Sequence, residues 1–234
     1  MRINGGSGSG EKRTLIYLPI LHTQADMGSL GESVQRETLR RLGRIALRRK
    51  DQAIAEVWIQ IEQVIAGLAL DYQKTRLYQD GLPVCGREEG IVQDLARRGS
   101  RNHELLVQLM AQGATLMGTE STELLQQEYE LVKRSLGAGP TSAPAGRTAR
   151  QKALSQDLLK RRDRYIAARI NATLRAGETG ILFLGMLHSL KNLLDPDIRV
   201  IYPFPPPPER GGDKPRSAPQ SAGPPGMRKI GQEG

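Results

Sequence analysis

The chain has 234 residues, a formal net charge of +9, a single cysteine and only short apolar runs. These bounds exclude an internal disulfide and a membrane-spanning helix, which needs roughly 20 apolar residues in a row. The lone Cys85, and a first apolar run that is short and follows a Gly/Ser arm, predict a cytoplasmic protein.

Composition divides the chain. Residues 1–12 are Gly/Ser-rich and read as a flexible arm. Residues 205–234 are dense in Pro, Gly and charge and read as a disordered tail, because they cannot offset their ordering entropy by burial. Residues 13–204 can bury one core and are expected to form a single domain, with a mobile Gly/Pro/Ser/Thr linker at 137–147.

In chain order, the first apolar run, Thr14 to Leu21, reads as a buried strand that ends at His22. A polar loop with Asp26 leads into a helix over about Glu32 to Arg49. Arg36, Arg40, Arg44 and Arg48 lie four apart and form one basic stripe, with Val34, Leu39, Leu42 and Ile45 on another side. Such a stripe suits a solvated face, anionic lipid or RNA, and the scarcity of aromatic residues for base stacking argues against nucleic acid. A second helix spans about Asp51 to Leu70. Its apolar stripe is Ile54, Val57, Trp58, Ile61, Val64, Ile65 and Leu68, so Trp58 belongs to the core.

Strand two is Thr75 to Gln79, stopped by Asp80-Gly81-Leu82-Pro83. A short helix over Glu88 to Arg98 ends at Gly99. Asn102 then serves as N-cap of a helix that exposes His103 and ends at Gly113. Strand three is Ala114 to Met117, followed by Gly118-Thr119-Glu120. The next helix carries Leu124, Leu125, Glu128, Leu131 and Val132. A long helix spans about Thr148 to Ala176, with an apolar face of Leu159, Ile166 and Ile170. Arg162 and Asp163 project near that face, where a charge is unusual unless it is paired or functional. Strand four, Ile181 to Leu187, ends at His188. Strand five, Ile198 to Tyr202, follows a link short enough to leave it antiparallel or reached through a single helical turn.

Alternating strands and helices predict an α/β fold with a largely parallel sheet of about five strands and helices on both faces. In open α/β sheets ligands bind beyond the carboxyl ends of the strands. There this chain places His22 and Asp26 after strand one, Asp80 after strand two, Glu120 after strand three and His188 after strand four. Imidazole nitrogen with anionic oxygen suits a divalent Zn, Mn, Co or Fe ion. The same groups equally suit metal-free hydrolysis, with a histidine as general base and a carboxylate orienting it.

The residues Gly185-Met-Leu-His188, closing a strand, and Arg162-Asp163, leading a helix that reads RDRYIAARINATL, resemble the C-terminal signature of the TraB/PrgY/GumN and Tiki group. That group belongs to the wider erythromycin-esterase/ChaN-like superfamily. Pro19-Ile-Leu-His22 is similar to the group's first GxxH, with the histidine kept and the glycine replaced. The resemblance implies a metal-dependent hydrolase acting on a small molecule or peptide. It implies that His22 and His188 bind metal or activate water and that the group's acidic residue matches Asp80, as a metal ligand, or Glu120, as a catalytic group. It further implies that Arg162 holds an anion or stabilises an oxyanion. Asp26 and Asp163 would stand behind them and orient them. The competing readings are a non-catalytic small-ligand or signalling protein using the same pocket, and RNA binding through the basic helix. A homo-oligomer is left open.

Overall fold

The structure, a computed structural model, describes residues 12–21, 31–137 and 149–205. His22, Asp26, the linker at 138–147 and the segments 1–11 and 206–234 lie outside the described residues.

The fold is α/β with a five-stranded, wholly parallel sheet: β1 (Arg13–Ile20), β2 (Thr75–Gln79), β3 (Thr115–Met117), β4 (Thr179–Gly185) and β5 (Ile198–Ile201). The strands lie in the order β3-β2-β4-β1-β5. Successive side chains point to opposite faces. Ile16, Leu18, Ile20, Leu77, Ile181 and Phe183 enter one layer, and Leu15, Tyr17, Tyr78, Leu182 and Leu184 enter the other. A strand buried on both faces needs an unbroken apolar run, which is why β1 and β4 show no alternation in sequence.

Helices cover both layers. On one face α1 (Gly31–Ala66), α2 (Glu88–Arg97) and α3 (Arg101–Ala111) supply Trp58, Ile61, Val92, Leu106 and Leu109. On the other, α5 (Ala149–Thr173) supplies Ile166, Ala167 and Ile170, and α4 (Thr122–Gly137) packs beside it. The buried residue in the first half of α5 is Leu158 rather than Leu159.

Three expectations are corrected. The basic and apolar helices are not divided near residue 50. They run together as α1 and break at Gly43, whose φ of 77° and ψ of 167° lie in a region open essentially to glycine alone. The break separates Arg40 from Arg44, so the four arginines do not share one straight stripe. Of the described side chains in 32–53, none is buried. At α3 the N-cap is Ser100, whose hydroxyl accepts from the His103 backbone N–H, and Asn102 is buried in the first turn. His103 is buried as well, its Nδ1 lying 2.6 Å from the Ser100 hydroxyl.

Strand β5 is parallel to β1, which resolves the short final link. The connection crosses the α5 face through turns, without a helix. Leu190, Leu193 and Leu194 pack into that layer. Arg13 clamps the connection through Asp195 (2.9 Å) and Asp197 (2.6 Å), while the Asn171 side chain donates to the Leu193 carbonyl. Side-chain hydrogen bonds take the place of the helix that usually fills a parallel crossover.

Candidate metal centre

Strand β2 connects onward to β3 on one side of the sheet, and β4 connects onward to β5 on the other. Since β2 and β4 are neighbours, their exits diverge and leave a crevice at their carboxyl ends. This switch point is where open α/β sheets hold ligands. Asp80 follows β2 directly, and His188 follows β4 by three residues.

Asp80 is tied to β4 twice. Its backbone N–H donates to the Phe183 carbonyl (2.9 Å), and its Oδ2 accepts the Gly185 N–H (2.9 Å). The Gly185–His188 stretch is a turn in which the His188 N–H donates to the Gly185 carbonyl at 3.0 Å. The turn brings the imidazole back to a buried position and leaves Met186 and Leu187 exposed at its tip. This is the physical content of the GxxH spacing.

Glu120 is placed by a second device. The loops after β2 and β3 are zipped together. Glu120 N–H donates to the Leu82 carbonyl and Val84 N–H to the Glu120 carbonyl, both at 2.9 Å, with a parallel bridge between Pro83 and Glu120. Gly118 permits this approach, since a Cβ there would lie 2.9 Å from the Val84 Cα and 3.1 Å from the Pro83 carbonyl. Glu120 is fully buried.

Helix α5 brings Arg162 and Asp163 over the crevice, both buried. The Asp163 carboxylate lies 2.6 Å from His188 Nδ1. An ionised carboxylate only accepts, so Nδ1 carries the proton and Nε2 presents a lone pair in the neutral ring. That Nε2 faces Asp80 Oδ1 at 3.6 Å, beyond direct hydrogen-bond length. Two electron-rich atoms facing each other in a buried site favour positive charge nearby, and the Arg162 guanidinium already meets Asp80 Oδ1. Bonds of about 2.1 Å at a tetrahedral angle would set two metal ligands about 3.4 Å apart. Asp80, Glu120 and His188 offer ligand atoms all within 4.8 Å of one another, and this buried group could hold a metal ion.

Arg162 crosses the same centre. Its Nη2 donates to Asp80 Oδ1 (2.9 Å) and Glu120 Oε1 (2.5 Å), Nε donates to both Glu120 oxygens (3.2 Å), and Nη1 donates to Glu128 Oε2 on α4 (2.5 Å). Arg162 thus meets two buried carboxylates, Asp80 and Glu120, and the partly exposed Glu128, while the buried Asp163 faces His188 instead. Two buried carboxylates sharing one guanidinium are costly to keep ionised in a low dielectric. Burial accordingly pushes the Glu120 carboxyl above its ordinary value, against the lowering pull of Arg162. Burial also opposes charge on Arg162. Its hydrogen bond to Glu120 and the fields of Glu120, Asp80 and Glu128 prevail and keep the guanidinium charged.

No family model, curated protein or solved structure matches this chain.

Of the residues singled out in the sequence, Asp80, Glu120, Arg162, Asp163, Gly185 and His188 meet in one cluster, while His22 and Asp26 lie outside the described residues. Leu21, the last described residue before them, leaves β1 beside β4, whose Gly185 is the register partner of Ile20. Glu128 was missed. Its signal was present, because it lies on the helix stripe of Leu124 and Leu131, and a charge on an apolar stripe is what marked Arg162.

Proposed function

We propose that the protein is a metal-dependent hydrolase of the TraB/Tiki-like type. The observation that carries this reading is the buried confrontation of His188 Nε2 with Asp80 Oδ1 at 3.6 Å, with Glu120 beside them. Asp80, Glu120 and His188 would hold a divalent ion, and in this reading His22 adds the second imidazole and Asp26 supports it. A borderline ion such as Zn²⁺, Mn²⁺, Co²⁺ or Fe²⁺ fits nitrogen with carboxylate oxygen. When bound, such an ion supplies Lewis acidity and a more acidic water. Asp163 keeps the proton on Nδ1 of His188 and so keeps Nε2 available to the ion. Glu120 would either complete the ion's ligands or, as the resemblance implies, take a proton from water and return it to a leaving group. Arg162 is the cation nearest to where negative charge would develop on a substrate oxygen.

The test is direct. Purified protein should bind Mn²⁺ or Zn²⁺ at about one equivalent, and His188→Ala and Asp80→Asn should each weaken binding by on the order of a hundredfold, the scale of losing one ligand. Metal-loaded protein should hydrolyse members of a panel of p-nitrophenyl esters and quenched-fluorescence peptides, and His22→Ala should abolish that turnover. Lack of metal binding would sink the metal-dependent reading. Metal binding without turnover on any panel member would favour the non-catalytic ligand-binding alternative.

A further inference from the structure

Arg162 and an incoming ion would compete for the same oxygens. The guanidinium already holds Asp80 Oδ1 and both oxygens of Glu120. Asp80 Oδ2 is committed to the Gly185 N–H. An ion bound by Asp80 and Glu120 must therefore draw electron density from the atoms that neutralise Arg162, and two cations cannot sit against the same pair of carboxylates without repulsion.

The guanidinium has a second anchor on its far side. Nη1 donates to Glu128 Oε2 at 2.5 Å. Glu128 comes from α4 rather than from the sheet edge, and its side chain is 41% exposed, against 0% for Glu120 and 3% for Asp80. It therefore lies on the solvent side of the cluster. A planar fork with five N–H donors can pivot about such an anchor and exchange one carboxylate pair for another without losing its charge-assisted bonds.

We propose that Arg162 is a tethered counter-cation that stands in for the ion in the metal-free protein, and that Glu128 receives it when the ion binds. This rests on the metal reading above. It assigns a role to Glu128, which is a positioning residue acting through Arg162. Without metal, Arg162 is shared among Asp80, Glu120 and Glu128, and the buried acids stay compensated enough to fold. With metal, Asp80 and Glu120 turn to the ion, and Arg162 depends on Glu128. Its displaced guanidinium then faces the mouth of the crevice, where it can meet an anionic oxygen of the substrate.

The experiment is a double-mutant cycle on Mn²⁺ affinity, read by calorimetry, with full-length wild type, Glu128→Gln, Arg162→Gln and the double variant. The Arg162–Glu128 bond is already made without the ion, so Glu128→Gln should weaken Mn²⁺ only by the strengthening of that pair on binding, about threefold to tenfold. Arg162→Gln should tighten Mn²⁺, since the competitor is gone. In the Arg162→Gln background, Glu128→Gln should have almost no further effect. A Glu128 effect of the same size with and without Arg162 would be plain through-space attraction and would overturn the hand-over. Unchanged affinity in Glu128→Gln, with wild type binding normally, would overturn it too and leave the metal reading intact. Absence of Mn²⁺ binding in wild type would instead remove the metal reading and the hand-over with it. Should Arg162→Gln fail to fold, the salt dependence of the Glu128→Gln effect decides. A screened through-space effect shrinks at high ionic strength, and a direct hydrogen bond to Arg162 does not.

Discussion

Glu120 has no exposed surface and is held by an arginine, yet burial still keeps its carboxyl above the ordinary range. The sign of its linkage follows. A carboxyl raised in the folded state binds its proton more tightly there than in the unfolded chain, so its contribution is full at low pH and is lost as pH rises through the folded value. Metal-free Glu120→Gln should therefore be more stable than wild type at neutral pH, by about 3 °C in melting temperature for each kcal/mol relieved in a chain of this size. The difference should vanish below the ordinary carboxylate range. Melts of both proteins across pH, with chelator present, check this, and a loss of stability at neutral pH in Glu120→Gln would contradict it. Asp163 is also open to test. Its carboxylate fixes the ring of His188 at 2.6 Å. Asp163→Asn should cost about 10–100-fold in Zn²⁺ affinity, as outer hydrogen-bond partners of a metal histidine do, with little change in fold. A Zn²⁺ titration that matches wild type would mean that Asp163 only supports the packing of α5.

At the level of elements, two glycines do different work. Gly118 lets the loop after β3 press against the loop after β2, and so sets where Glu120 stands. Its neighbours at the would-be Cβ are the Glu88 Oε1, which can move, and backbone atoms of Val84 and Pro83, which cannot swing away. Gly118→Ala should cost about 1–3 kcal/mol by overpacking and should weaken metal binding as well, because the loop that carries Glu120 must shift. Unchanged melting and metal affinity would show that the two loops part without consequence. Gly43 meets nothing within 4 Å of its would-be Cβ, and its strain is conformational alone. The arm around it buries no described side chain between residues 32 and 53, so no buried core contact is at stake there. Gly43→Ala should straighten α1, raising helical ellipticity and shifting the melting temperature by less than about 3 °C, since only a propensity term of roughly 1 kcal/mol is at stake. A large drop in stability would show that the bend is held by contacts of the arm.

Across the whole molecule, the sheet centre and the site are buried together, while most of the first half of α1 is not. The sheet centre, β1 and β4, is buried on both faces, while no described side chain from 32 to 53 is buried. Amide exchange should follow this division. Protection in β1 and β4 should approach the global unfolding free energy, while residues 32–50 should exchange by local opening, with far lower protection. Uniform protection along α1 would indicate a partner for the arm in solution. The Ala55 and Glu62 stretch is the boundary, because Arg101 on α3 grips it through the Ala55 carbonyl and a Glu62 pair at 2.6 Å.

The local pattern was enough to determine the α/β class, the strand sites and the edge on which the chemistry gathers. Continuous apolar runs at β1 and β4 carry their two-sided burial in the residues themselves, and Asp80, Glu120 and His188 each follow a strand directly or within a few residues. The apolar spacing that made Trp58 a core residue is also a property of one helix. What neighbouring chain decides was not legible in this way. His103 reads as a first-turn surface residue until Ser100 caps the helix and turns the ring inward. The direction of β5 was left open by its short link, and it runs parallel to β1, with Arg13, far away in sequence, clamping Asp195 and Asp197 at its approach. The break of α1 falls at Gly43, in a stretch where no described side chain from 32 to 53 is buried. The order β3-β2-β4-β1-β5 places Asp80 and His188 on adjacent strands at a switch point, and strand order is a contest among all the helix–sheet contacts at once. Arg162 was legible as a charge on an apolar face, but its partners Asp80, Glu120 and Glu128 come from three other segments. Only the tertiary structure could decide that this arginine is the cation of the site, because a buried charge takes its meaning from whatever the fold packs against it.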